Sequence, residues 1–87
     1  MEKFTAEVRN EVGLHARPAS VLTKTTSKFK SDITISKDGK DYNAKSIIGI
    51  LSMGAKKGDT VSLTIEGSDE EKAAEILKSL FEDNFGE

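Results

Sequence analysis

The chain has 87 residues, with 15 acidic and 13 basic side chains, a formal net charge of −2 and no cysteine. That length suits one small hydrophobic core and leaves no room beside it for a deep substrate pocket, and the lack of cysteine excludes disulfides, thiolate zinc sites and a cysteine nucleophile. Lys24, Lys28, Lys30, Lys56 and Lys57 are dispersed along the chain and aromatic residues are few, a composition that disfavours nucleic-acid binding.

Phe4, Ala6 and Val8 alternate with Thr5 and Glu7 at the period of a half-buried strand. Asn10 to Leu14 is polar, contains Gly13 and reads as a loop. Pro18 stands where the first turn of a helix tolerates it, and Ala19, Leu22, Thr26 and Phe29 follow at helical spacing. The spacing predicts a helix from about Ala16 to Phe29, weak by itself because it is rich in Thr and Ser. Ile33 and Ile35 mark a second strand, Asp38-Gly39 favours a tight hairpin, and Asp41 to Ala44 can pair back as a third strand.

Ser46 can cap a short helix from Ile47 to Met53, ended by Gly54. After a turn at Lys57-Gly58-Asp59, Val61, Leu63 and Ile65 give the clearest strand of the four. Ser68 with Glu71 is a capping-box pattern for the last helix, whose buried stripe is Ala73, Leu77, Leu80 and Phe81, with Ile76 beside it. Asp69, Glu70 and Glu71 suit the positive end of that helix better than a metal site. The order predicts a two-layer α/β sandwich with helices on one face of a four-stranded sheet, and it leaves the strand order open. Met1–Phe4 lacks a charged-then-apolar leader, and the longest apolar run, Ile47 to Leu51, is broken by Gly49. The expectation is a cytoplasmic protein with no membrane partner.

His15 is the sole histidine and falls at the loop-to-helix junction. The first turn of a helix leaves backbone N–H groups without partners and carries partial positive charge. A phosphoryl group on His15 would sit among the N–H groups of Ala16 and Arg17, with the Arg17 guanidinium available for a charge-assisted contact. On local spacing alone the blander reading, a capping histidine beside a surface arginine, has the advantage. Ile47, Ile48, Ile50, Leu51 and Met53 are too apolar for one short helix to bury completely. Ile47, Ile48 and Leu51 are the candidate docking residues, unless Ile48 and Leu51 face the core and Ile47 alone is exposed.

The run Gly13-Leu14-His15-Ala16-Arg17-Pro18-Ala19 resembles the active-site signature of the HPr family of histidine phosphocarriers. Lys45-Ser46-Ile47-Ile48-Gly49 resembles that family's second signature at the expected distance, and length and element order also match. The resemblance implies one HPr domain over residues 1–87, with a four-stranded antiparallel sheet and three helices on one face. It implies a carrier rather than an enzyme, without cofactor or metal. His15 would accept a phosphoryl group on Nδ1 from phospho-enzyme I and pass it to enzyme IIA domains of sugar transporters. Arg17 would stabilise the phosphate, and the first helix with Ile47, Ile48 and Leu51 would dock these partners.

Ser46 would be the regulatory phosphorylation site, which brings in HPr kinase/phosphorylase and the catabolite control protein. Capping alone also explains a serine there. A regulatory HPr-like module acting mainly through Ser46 is the alternative function, and the presence of His15 argues against it. A carrier that meets several partners in turn is expected to be a monomer. The family commonly has a small polar residue where this chain has Val12, a difference that bears on the rate of transfer.

Overall fold

Alternation of apolar and polar residues builds the sheet. In the computed structural model, which describes residues 1–86, the strands are β1 (Glu2–Glu7), β2 (Asp32–Lys37), β3 (Lys40–Asn43) and β4 (Thr60–Glu66). They lie in the order β1-β4-β2-β3, with every neighbouring pair antiparallel. The register places Phe4 opposite Leu63, Ala6 opposite Val61, Ile33 opposite Ile65 and Ile35 opposite Leu63. One face is therefore aliphatic, whereas Thr34–Thr64 and Ser36–Ser62 pairs form the other. The β2–β3 hairpin turns through Asp38 and Gly39, both at positive φ, as a two-residue turn of type I′ requires.

Three helices cover the aliphatic face: α1 (Ala16–Thr26), α2 (Ile47–Met53) and α3 (Glu70–Glu82). Leu22 from α1, Ile50 from α2 and Leu77 from α3 are fully buried with Ile35, Leu63 and Ile65 of the sheet. A short 3-10 turn, Asn84–Gly86, follows α3 and buries Phe85 edge-on against Phe81, with ring centroids 4.9 Å apart.

Two helix boundaries differ from expectation. The first helix ends at Thr26 rather than Phe29. Lys28 and Phe29 N–H groups donate to carbonyls three residues back, and the hydroxyls of Thr23, Thr25 and Thr26 bond to carbonyls of the preceding turn. Thr26 Oγ1 also donates to the Ala44 carbonyl at 2.8 Å, tying the end of α1 to the strand–helix connection. Such back-bonding competes with the helical ladder and tightens its last turn. Phe29, placed beyond the helix, is half-buried.

The Ser68–Glu71 capping box does not form. The N-cap is Asp69, and its carboxylate is turned across the molecule, accepting from Lys30 N–H at 2.9 Å, Ser31 N–H at 3.0 Å and the Ser31 hydroxyl. Glu70 supplies the local half of a cap instead, accepting the Gly67 N–H at 3.0 Å and pairing with the N-terminal amine. A tertiary cross-link to a buried serine has displaced the local bond.

The Ser31 hydroxyl, followed by the Lys30 N–H, holds the Asp69 carboxyl below the ordinary aspartate pKa of 3.8. Stability from this group is therefore complete above that pH and is lost as pH falls through the lower folded-state pKa. Asp69→Asn should be less stable than the parent at neutrality, and the difference should close in acid below pH 3.8. Urea unfolding from neutrality into acid measures both limbs.

Candidate functional site

The site is built on the loop joining β1 to α1. Where β1 ends, Val8 N–H donates to the Asp59 carbonyl at 2.9 Å and Gly58 N–H to the Val8 carbonyl at 2.8 Å. The turn that supplies these groups is closed by Asp59 N–H to the Lys56 carbonyl and by Lys56 N–H to Asp59 Oδ2 at 2.8 Å. That backbone donor, followed by the nearby Lys37 ammonium, keeps the Asp59 carboxyl below the usual carboxylate range.

The loop next makes a β-turn in which Gly13 N–H donates to the Asn10 carbonyl at 3.0 Å, and Leu14 N–H reaches the Ala55 carbonyl at 3.0 Å. Glu11 is paired with Lys57 at 2.6 Å, and the lysine holds its carboxyl below the usual range. Gly13 sits at φ +76°, and a Cβ there would lie 2.3 Å from the Ala55 carbonyl oxygen. Both the left-handed backbone and the close approach demand glycine. Leu14 is buried, so the chain arrives at His15 with no slack.

His15 is the N-cap of α1, with extended backbone (φ −86°, ψ −167°), and its side chain makes no capping bond. Its carbonyl accepts the first helical bond, from Ala19 N–H at 3.0 Å. Pro18 has no N–H, so Ala16 and Arg17 carry the first-turn donors that lack an intrahelical acceptor. Both residues are exposed and His15 is half-exposed. Arg17 is in no ion pair among the described residues. The fold presents these two residues beside an imidazole that is not used as a cap.

Ser46 is the N-cap of α2, its Oγ accepting the Gly49 N–H at 3.0 Å. Ile50 and Met53 turn into the core, leaving Ile47 (39%), Ile48 (74%) and Leu51 (43%) exposed. Ile48 and Leu51 therefore do not face the core. The fold also groups charges that look dispersed in the sequence. Residues 14–31 and 42–58 contain no acidic side chain, and α1 packs on α2. Lys24, Lys28 and Lys45 consequently line one groove with Ile47. Lys45 has no role in the sequence beyond its place in the second signature; its ammonium donates to the Phe29 carbonyl at 2.8 Å, a contact across the fold that no local signal announces. Ala55, whose carbonyl anchors the loop, was equally silent. Among the described residues no cluster of histidine, cysteine and acids could hold a metal ion, and no helix is long and apolar enough to cross a membrane.

Residues 2–83 match the family model described as "PTS HPr component phosphorylation site". The chain belongs to the HPr family. It is 41% identical over 85 residues to the phosphocarrier protein HPr of Mycoplasma genitalium, an alignment that covers 97% of each chain. It is 45% identical over 82 residues to the HPr-like protein Crh of Halalkalibacterium halodurans, covering 94% of this chain and 98% of that one. Among solved structures, HPr-C-His from Thermoanaerobacter tengcongensis superposes with a TM-score of 0.96 at 50% identity, covering 100% of this chain and 98% of the other. The four-stranded antiparallel sheet under three helices is thus the HPr fold.

Gly13→Ala should destabilise the protein by about 2 kcal/mol or more, since it adds a left-handed alanine to a steric clash. Denaturant unfolding measures the loss. Hydrogen exchange should show it concentrated at the Leu14 amide, which donates to Ala55.

Proposed function

We propose that the chain is a phosphoryl carrier of the sugar phosphotransferase system, working in the cytoplasm as a monomer. His15 takes the group from phospho-enzyme I and gives it to enzyme IIA domains. The observation that carries this reading is the His15 ring at a helix N-cap, free of any capping bond and next to two first-turn N–H groups without helical acceptors.

In the loading step the Nδ1 lone pair attacks phosphorus. The nitrogen–phosphorus bond forms as the bond from phosphorus to the donor atom breaks, and that bond's electron pair stays on the donor. Unloading is the same displacement with the acceptor as nucleophile. The three phosphoryl oxygens keep their charge throughout, so catalysis is positioning and charge stabilisation. Ala16 N–H, Arg17 N–H and the Arg17 guanidinium serve the second need on this side. The partner supplies the rest, docking on Ile47, Ile48 and Leu51, with the groove of Lys24, Lys28 and Lys45 favouring an acidic surface.

Incubation with enzyme I, phosphoenolpyruvate and magnesium should add the mass of one phosphate, lost again in mild acid. His15→Ala should abolish the gain and keep its fold. Arg17→Ala should slow transfer about tenfold to a hundredfold, the worth of a charge-assisted contact, with little change in stability. Arg17→Lys should recover part of that rate, because a point charge lacks the forked geometry. Acid-labile labelling of His15→Ala at the parent rate would refute the assignment.

Ser46 supports a second role in the same molecule, regulation by HPr kinase/phosphorylase with binding of the phosphorylated form to the catabolite control protein. Its hydroxyl caps α2, so a phosphate there meets a helix start that tolerates negative charge, while Ile47 and Ile48 beside it are exposed. Charge next to an apolar docking surface is costly to desolvate. Phosphorylation of Ser46 should therefore weaken enzyme I binding and slow loading of His15, with an unchanged or slightly raised thermal midpoint. Calorimetry and loading kinetics on enzymatically phosphorylated protein provide the check.

A further inference from the structure

Val12 is 74% exposed, as much as Ile48 and more than any other valine, leucine or isoleucine in the core-and-surface pattern of this chain. It occupies the second corner of the turn whose ends, Asn10 and Gly13, are joined by a 3.0 Å bond. Asparagine at the first position and glycine at the last are what such a turn favours. A β-branched side chain at an exposed corner gains nothing from the turn, since it has no packing and makes no local hydrogen bond. Its apolar surface is open to contact from outside the chain.

Three observations bear on such contact. First, the loop is rigid before any partner arrives, because Val8, Leu14 and Glu11 are all bonded to residues 55–59. Burying Val12 therefore costs little ordering. Second, Val12 is three residues from His15, a separation of at most about 10 Å even for extended chain. A protein that brings phosphorus to the imidazole must cover this side too. Third, Glu11 and Lys57 are paired with each other beside Val12, whereas Lys24, Lys28 and Lys45 line the α1–α2 flank.

We propose that Val12 is a specificity-determining contact of the phosphoryl-transfer complex, received by an aliphatic or aromatic side chain of the partner protein, enzyme I in the loading step. It forms an apolar margin of the docking surface on the loop side of His15, opposite Ile47, Ile48 and Leu51 on α2. The inference rests on the carrier reading above. Val12 does not touch the reacting atoms; it sets which partner surfaces are accepted and leaves the chemistry at the imidazole alone.

The test compares the parent with Val12→Asn and Val12→Ile in loading by phospho-enzyme I, in thermal melts, and in direct labelling of His15 by phosphoramidate, a small donor with no docking surface. Val12→Asn should raise the KM for phospho-enzyme I about tenfold, the loss of one buried valine contact. Its kcat should stay within about twofold, and its melting and phosphoramidate labelling should match the parent. Val12→Ile should retain the parental KM. An unchanged KM for Val12→Asn would overturn the inference. So would a lowered melting point, which makes the residue structural, or slowed labelling by phosphoramidate, which makes it part of the chemistry. Failure of enzyme I to load the parent would instead overturn the carrier reading itself.

Discussion

The seam between residues 8–14 and residues 55–59 is the constraint on which the rest of the site depends. Three backbone hydrogen bonds and an ion pair cross it, and Gly13 makes it possible by letting two backbones approach to a distance at which any side chain would collide. The consequence is transmitted along the chain. With Leu14 buried and bonded to Ala55, His15 can enter α1 only in extended conformation, and the N-cap position follows from that. A histidine held by its backbone leaves its ring uncommitted, which a nucleophile needs and a capping side chain lacks. The same seam joins the loop to the end of α2, so the imidazole and the exposed apolar side chains of α2 are fixed relative to one another.

Side-chain bonds to distant backbone perform a similar service for the helical layer. Thr26 holds the end of α1 to Ala44, Lys45 holds the carbonyl of Phe29, and Asp69 at the start of α3 holds Lys30 and Ser31. All three converge on the connections around residues 26–31 and 44–45, where neither helix nor strand satisfies the backbone. In a chain this short, whose core is one layer of aliphatic side chains, such links tie the irregular segments to the core.

The surface is divided in keeping with a protein that is handled by others. A phosphoryl group in transit needs donors on one side and a partner on the other, so an open helix start serves better than an enclosed pocket. In the proposed carrier role, the basic groove between α1 and α2 would supply attraction at a distance and the exposed side chains of α2 would supply contact. A net charge of −2 conceals this arrangement, because the acidic side chains of residues 66–83 balance a basic face elsewhere.

Much of the fold was legible because its signals are local. Alternation in Val61-Leu63-Ile65, the Asp38-Gly39 turn and the Ser46 cap with Gly54 each depend on neighbours in sequence, and each element formed where the pattern placed it. The helix start at His15 was legible for the same reason, since His15, Arg17 and Pro18 fall within one turn. What local pattern left open was decided by groups far apart in the chain. Strand order came from packing, because alternation states which face is buried and not which strand lies alongside. The Ser68–Glu71 cap gave way to Asp69 reaching Ser31, and α1 stopped at Thr26 when its hydroxyl found Ala44. Lys24, Lys28 and Lys45 became one basic groove once α1 lay on α2. The deciding partners, Thr26 with Ala44, Asp69 with Ser31 and Lys28 with Lys45, lie far apart in the chain, and no local window of sequence contains both.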